Sequence, residues 1–384
     1  MSGRRSGPGH TSAAGGFFDR FRTAIARLPN GLIRTGPPAP SEALAQAEAS
    51  LGRPLPEAYA SFLRSFDGAD LFHENILVAG VGPGAPRQLV ELPQTFPNEL
   101  VFGEALSGEL FALDERGRVL RRDVGADERA LAGSSFERWL DATVAREQVL
   151  YGPDGEYLPD LTDPSGTELL PQVALRQAER ALRADPGAAD AEHARGSALL
   201  RLGRPETAVE AFRRAAELDV ESPWPAFDLG RAALTVGQPE EALAAFRRAA
   251  ELETGVGRAR LLAWAARAAA AAHDGTAAAT LREEAKRGDP ELVDHLRRAA
   301  RAAVEDEDPE ATAEATALLE VIEPGAAGLG AIRRLPVLRS DGPPSRPERV
   351  LSEPASPSPP PARPPRPSRE EPPRSGGSKR GRRR

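Results

Sequence analysis

Two related stretches constrain this chain more than anything else in it. GRPETAVEAFRRAAEL at 203–218 returns almost position for position as GQPEEALAAFRRAAEL at 237–252, an offset of 34 residues. A period of that length belongs to arrays of helix–turn–helix units, none of which can bury its apolar face alone. The repeated positions suit helix-on-helix packing. Ala208/Ala242 and Ala215/Ala249 allow close approach, Phe212/Phe246 fill the space between helices, and Gly203/Gly237 supply the turn inside the unit. Gly196 and Gly230, half a period upstream, put small residues on the preceding helix.

One period back, Ala174, Ala178, Ala181 and Pro186 fit a second helix with a terminal Pro. Its first helix should occupy 155–170, which is too rich in Pro and Gly, so the array is expected to open with a half unit or cap. After 256 the pattern persists without register, and helices are expected at about 257–272, 276–287, 290–304 and 309–322. The repeats resemble tetratricopeptide repeats, strongly over two units and degenerately around them. An all-α solenoid is therefore expected over 171–325. The resemblance implies a concave face, lined by the first helix of each unit, that binds extended peptides or partner helices. The family's groove positions map to His193, Ser197 and Arg201 in the first full unit, and to Trp224, Phe227, Arg231 and Thr235 in the second. Trp, Phe and Arg are the side chains that dominate binding hot spots, though packing against the next repeat is the competing role for Trp224 and Phe227. The variant that clamps a C-terminal carboxylate uses Asn where this chain has Ala194 and Asp228, which speaks against that ligand.

Ahead of the array, 41–148 reads as a separate α+β domain. Ser41 is the expected N-cap of a helix with Leu44, Ala47 and Leu51 on one face, ended by Gly52. Pro56 opens a second helix, with Tyr59, Phe62, Leu63 and Phe66 at i, i+3, i+4 and i+7. Strands are expected at Ile76–Val81, Glu99–Phe102, Glu109–Leu113 and Arg118–Val124, the last two joined by a turn at Asp114–Gly117. Ser134 and Ser135 cap a closing helix with Phe136, Leu140 and Val144 on one face. Gly80, Gly82 and Ala85 imitate a dinucleotide-binding fingerprint. Pro83 and Pro86 interrupt the helix such a site needs, so a loop is expected.

EALAQAEASLGRPLPEAYASFLRSFDGADLF, with Leu51, Gly52, Leu55, Pro56, Tyr59, Phe62, Leu63, Asp67 and Gly68, resembles the opening of the SUKH superfamily. That superfamily is named for yeast cell-wall regulators and bacterial immunity proteins. GELFALDERGRVLRRDV and SSFERWLDATV resemble its strand pair and closing helix. The resemblance implies a non-enzymatic binding fold, many bacterial members of which neutralise nuclease or other toxins, and it transfers no catalytic residue. A basic partner would meet acidic side chains, because charge complementarity steers encounter. The domain carries about -8. Asp67, Asp70, Glu74, Glu99, Glu104, Asp114 and Glu115 are the candidate acidic interface, an ordinary solvated acidic surface being the alternative.

The formal charge of -7 over 384 residues is unevenly spread. Residues 1–40 carry about +5, 341–384 about +6, and 41–340 about -18. Residues 1–40 read as a flexible basic segment with a short amphipathic helix at Phe17, Phe18, Phe21, Ile25 and Leu28. That helix packs either on its own domain or on an anionic membrane. Residues 149–170 read as a linker, and 326–384 as a disordered Pro/Arg-rich tail ending GSKRGRRR.

The absence of Cys excludes disulfides, thiolate nucleophiles and cysteine-ligated metals, and the five His are scattered. No cofactor, metal or small-molecule substrate is expected, nor an enzyme. Arg4 and Arg5 are not followed by an apolar run, so the expected location is cytoplasmic. The function expected is a protein–protein interaction scaffold, with a protein partner for each module. Two alternatives stand beside it: immunity against a toxin such as a nuclease, and a regulatory adaptor in a signalling, secretion or cell-envelope assembly. The tail offers a third, a tether to nucleic acid or an anionic membrane, which its lack of interleaved aromatics weakens.

Overall fold

A computed structural model describes residues 13–29, 31–123, 128–306 and 308–324. The segment 326–384, expected to be a disordered tail, lies outside these described residues. An α+β domain comes first and an all-α array of helices follows it.

The α+β domain contains a seven-stranded antiparallel meander in the order β1-β2-β3-β4-β5-β6-β7. Its strands are β1 (Ile33–Thr35), β2 (Ala69–Leu71), β3 (Ile76–Val78), β4 (Leu100–Ala105), β5 (Leu110–Leu113), β6 (Val119–Asp123) and β7 (Glu128–Gly133). Helices α1 (Ala13–Ile25), α2 (Ser41–Leu51), α3 (Glu57–Ser65) and α4 (Phe136–Glu147) complete it. The core is aromatic. Phe62 meets Phe136 edge-on at 5.3 Å between ring centroids, and Phe102 meets Trp139 at 5.0 Å. Tyr59 is fully buried, and its hydroxyl donates to the Ala79 carbonyl at 2.7 Å, satisfying the one polar atom it brings inside. Burial pushes the phenol pKa up.

Several expectations need correction. Of the two placements expected for the helix within the basic segment 1–40, the described part takes packing on its own domain. Phe18 and Phe21 are buried against Phe62 and Phe66, and β1 pairs Ile33 with Leu71. The apolar face that marks an amphipathic helix is satisfied by the domain itself. Ser41 is the first helical residue rather than the cap; Pro40 precedes it and no side chain caps the helix. Strands β1, β2 and β7 were not foreseen, since three-residue strands and ERALAG carry too little alternation to be read. The turn at Asp114–Gly117 forms as expected, with Gly117 at φ 74°. Ser135 caps α4 by accepting from the Arg138 amide at 3.3 Å.

The array comprises α5 (Pro171–Ala184), α6 (Ala189–Arg201), α7 (Pro205–Leu218), α8 (Trp224–Thr235), α9 (Pro239–Glu251), α10 (Gly255–Ala271), α11 (Gly275–Gly288), α12 (Leu292–Glu305) and α13 (Pro309–Ile322). Glycines on the first helix of a unit are there for space. A Cβ on Gly196 or Gly230 would come within 2.7 Å or 2.6 Å of the Phe212 or Phe246 ring. The repeat register survives past 256, contrary to expectation, after a two-residue insertion. Gly203, Gly237 and His273 all turn with positive φ. The same backbone bond closes four successive turns: Arg204 N to Leu199 O, Gln238 N to Ala233 O, Asp274 N to Ala269 O and Asp308 N to Ala303 O. Among the described residues, four units therefore follow α5.

The half unit has a partner after all. Helix α5 packs on α4, with Ala142 of α4 in one buried cluster with Ala181, Ala188 and Ala191. The closing helix of the α+β domain thus acts as first helix for α5. Residues 149–170, read as a linker, form an ordered connection. Tyr151 stacks on Phe72 at 5.3 Å and pairs with Tyr157, and Thr162 pairs with Leu169. The array meets the sheet near β7 too: Ala189 and Leu218 share a cluster with Leu120 of β6 and Leu131 of β7.

Candidate functional site in the groove of the repeats

The seven groove positions fall on α6 and α8, but much of their chemistry is already used. His193 is buried, and its Nε2 lies 2.6 Å from Asp228 Oδ2, joining α6 to α8. Ser197 donates to the His193 carbonyl, and Thr235 to that of Arg231. Both hydroxyls satisfy helix carbonyls one turn back. Arg201 pairs with Glu168 of the connection at 3.0 Å. Phe227 is 2% exposed, between Phe246 at 5.8 Å and Trp264 at 5.6 Å. Trp224 is half-buried, edge-on to Phe227. Arg231 Nη2 pairs with Glu314 Oε2 at 2.9 Å, and its guanidinium lies 5.8 Å from the Phe227 ring centre and 5.9 Å from that of Trp264.

Sequence reasoning missed Trp264, Arg260, Arg267 and Glu314. Arg267 lies over the Trp264 ring at 5.0 Å. Burial pushes the Arg260 and Arg267 guanidinium pKa values down; Asp289 and Glu314 oppose the shift at Arg260, and Glu314 opposes it at Arg267, where Arg231 adds to it. A shift of two residues in the period would have placed Arg267 under Arg231 and Ala266 under Gly230. The insertion hid that match.

Helix α13 supplies the carboxylate. The close pairing of α7 with α8 and α9 with α10 is not repeated between α11 and α12, which meet only marginally. Instead α13 lies along α10, burying Ala315, Leu318, Leu319 and Ile322 in one cluster with Phe227 and Trp264. The last unit leaves the stack and its second helix enters the groove.

Of the seven acidic candidates of the first domain, five are already paired within it. Asp67 is 2% exposed and accepts from Val81 N at 2.7 Å and Gly82 N at 2.8 Å. The loop that imitates a phosphate cradle therefore holds its own carboxylate. Asp70 accepts from Arg34 Nε at 2.9 Å, Glu99 from Arg122 Nε at 3.0 Å, and Asp114 from Arg118 Nε at 2.7 Å. Glu104 pairs with Arg87. Glu74 and Glu115 are the exposed members, Glu74 at 3.9 Å from Arg34.

A cavity of about 530 Å³ opens between the sheet, α4, α5 and α6. Arg121, paired with Glu109, and Arg146, paired with Glu147, line it beside Asp190 and Trp139. Burial raises the Asp190 carboxyl pKa, with Arg121 and Arg146 pulling it back. Among the described residues no group of three or more His, Asp or Glu side chains could hold a metal ion. No described helix is long and apolar enough to cross a membrane.

The SMI1 / KNR4 family (SUKH-1) model matches residues 38–142, and a tetratricopeptide repeat model matches 189–219. The chain thus carries a SUKH-1 domain followed by tetratricopeptide repeats. No catalytic family is indicated. Comparison with curated proteins finds no match. Among solved structures the chain is similar to MamA, at 20% identity and TM-score 0.30, covering 40% of this chain and 86% of that one. It is also similar to YrrB, described as a TPR protein with an unusual peptide-binding site, at 22% and 0.30, covering 41% and 80%. A third is pilF of Pseudomonas aeruginosa, at 19% and 0.28, covering 41% and 85%.

Proposed function

We propose that this chain, a SUKH-1 domain continued by tetratricopeptide repeats, is a non-enzymatic scaffold whose two modules each hold a protein or peptide partner in the cytoplasm. One observation carries the reading. Phe227, Arg231, Trp264 and Arg267, from two consecutive units, come together around the Trp264 ring, on the side of α8 and α10 where α13 packs. Aromatic and Arg side chains are the ones that anchor protein interfaces. On the SUKH-1 domain, Val90 and Leu106 are 65% and 77% exposed, and Glu74 and Glu115 stand free of the core.

The test is capture by the full chain, by Arg267→Glu and by Leu106→Asp. Loss of one set of captured proteins with Arg267→Glu and of another with Leu106→Asp supports two partners. Capture unchanged by either variant removes the reading.

The SUKH-1 match favours a second reading, in which the first domain is an immunity module that blocks a toxin such as a nuclease. Co-expression with toxins encoded beside the gene tests it. Cell survival that depends on Glu74 and Glu115 supports it, and death irrespective of the chain counts against it.

A further inference from the structure

The groove is not empty, and what fills it is informative. Arg231 on α8 pairs with Glu314 at 2.9 Å, and the same carboxylate acts electrostatically on Arg267 and, after Asp289, on Arg260 of α10. Arg231 and Glu314 are both largely withdrawn from water, at 9% and 16% side-chain exposure. The contact is therefore made in a medium where charge complementarity matters more than at a surface. Next to it, Ala315, Leu318, Leu319 and Ile322 fit against Phe227 and Trp264. The occupant is an amphipathic helix with a carboxylate followed by apolar residues one, four, five and eight positions later.

The occupant also sits where the repeat pattern does not put it. The turn at Asp308 keeps the register of the three before it. A regular fourth unit would stack α12 on α11 as α10 stacks on α9. That stacking is exchanged for contact between α13 and α10. The two helices are thus folded towards the groove where the repeat pattern would stack them.

We propose that the face of α8 and α10 is a receptor for an acidic amphipathic helix of a partner protein, and that α13 is its internal competitor. This rests on the groove being the interaction site of the repeats. A partner helix placing a carboxylate on Arg231 displaces α13, and the last unit moves aside. The affinity seen from outside is then reduced by the fraction of time the groove is closed.

The probe is a fluorescein-labelled peptide of residues 309–324, with a Glu314→Lys peptide as control. The hosts are the full chain and its Glu314→Lys variant, in which the internal helix brings a like charge to the arginines. The native peptide should bind the variant about tenfold or more tighter than the unaltered chain, as expected when a closing helix is released. The control peptide should bind neither. Hydrogen exchange in the unaltered chain gives a reading that needs no variant. Amides of 309–322 should exchange by local opening, faster than those of α8 and α10, and faster again when the peptide is added. Equal protection of α13 and α10 overturns the proposal. So does a Glu314→Lys variant with α8–α11 protected as in the native chain that fails to bind the peptide. A natural partner captured through Arg267 without any change in α13 exchange leaves the scaffold reading standing and removes this one.

Discussion

Asp219, at the end of α7, closes the edge of a sheet that ends 86 residues earlier in the sequence. Its Oδ2 accepts from the Leu131 amide of β7 at 2.8 Å, and its Oδ1 pairs with Arg129 at 3.3 Å. One period upstream, at the end of α5, Asp185 does the same for the turn after β7. It accepts from Ser134 N and Ser134 Oγ, each at 2.7 Å. Both carboxylates are almost wholly buried. The repeat that spaces them by 34 residues also spaces them along the sheet edge.

Removing them should uncouple the two modules. Asp219→Ala leaves the buried Leu131 amide without a partner and Arg129 with Glu221 alone, which costs about 1–3 kcal/mol. In urea the native chain should unfold the sheet and α5–α7 together. The Asp185→Ala/Asp219→Ala chain should show the two parting, read from near-UV aromatic signals against far-UV helicity. Coincident transitions in the double variant would refute a role for these carboxylates in coupling.

The N-terminal helix should prove structural. Phe18 is wholly buried against Phe62, Phe66 and Phe136. Phe18→Ala should cost about 3–5 kcal/mol in chemical denaturation, the usual loss for a large core aromatic. A loss within the scatter of surface substitutions would mean the helix is dispensable to the core.

Gly230→Ala should destabilise although Ala is the better helix former. The added methyl would meet Phe246 at 2.6 Å, and such overpacking costs about 1–3 kcal/mol. Phe246→Leu makes room, so the double variant should lose less than the sum of the two singles. Strict additivity would show that the contact does not set the requirement for Gly.

The cavity carboxyl gives a pH signature. Burial raises the pKa of Asp190 in the folded chain, against the pull of Arg121 and Arg146. The folded state therefore binds this proton more tightly than the unfolded state. Stability at this site rises as pH falls through the raised pKa, and the gain is complete below the unfolded-state value. Asp190→Asn should be more stable than the native chain at neutral pH. That advantage should shrink as the solution is acidified towards the ordinary carboxylate range. Urea midpoints across a pH series would show it; a constant or growing advantage on acidification contradicts the assignment.

Legibility in the sequence followed the strength of the local signal. Phe212 and Phe246, Gly203 and Gly237, and the SUKH-like run around Tyr59 and Phe62 name their fold because packing fixes both residue type and spacing. Strand β1 was unreadable because Ile33–Thr35 is too short to alternate, and only its pairing with β2 makes it a strand. The acidic interface misled for a physical reason. Asp67, Asp70 and Glu99 look like surface charge in a string of letters, yet each is buried on a backbone amide or an Arg contributed by a distant segment. The groove was half legible. Arg231 followed from the period, whereas Arg267 lay two residues out of step and Glu314 arrives from a helix that leaves the stack.

That α4 serves as the first helix for α5 has a consequence for the order of events in folding. A free-standing array of similar units has no preferred end, because each unit gains as much from the neighbour before it as from the one after. Here one end is presented ready-made, since α4 is held by Phe136 and Trp139 in the aromatic core before any repeat need form. The array has a seed, and structure should spread from it in the direction of synthesis. Pulse-labelled exchange should find α5 and α6 protected before α10 and α11, so that on the ribosome each new helix emerges onto a surface already prepared for it.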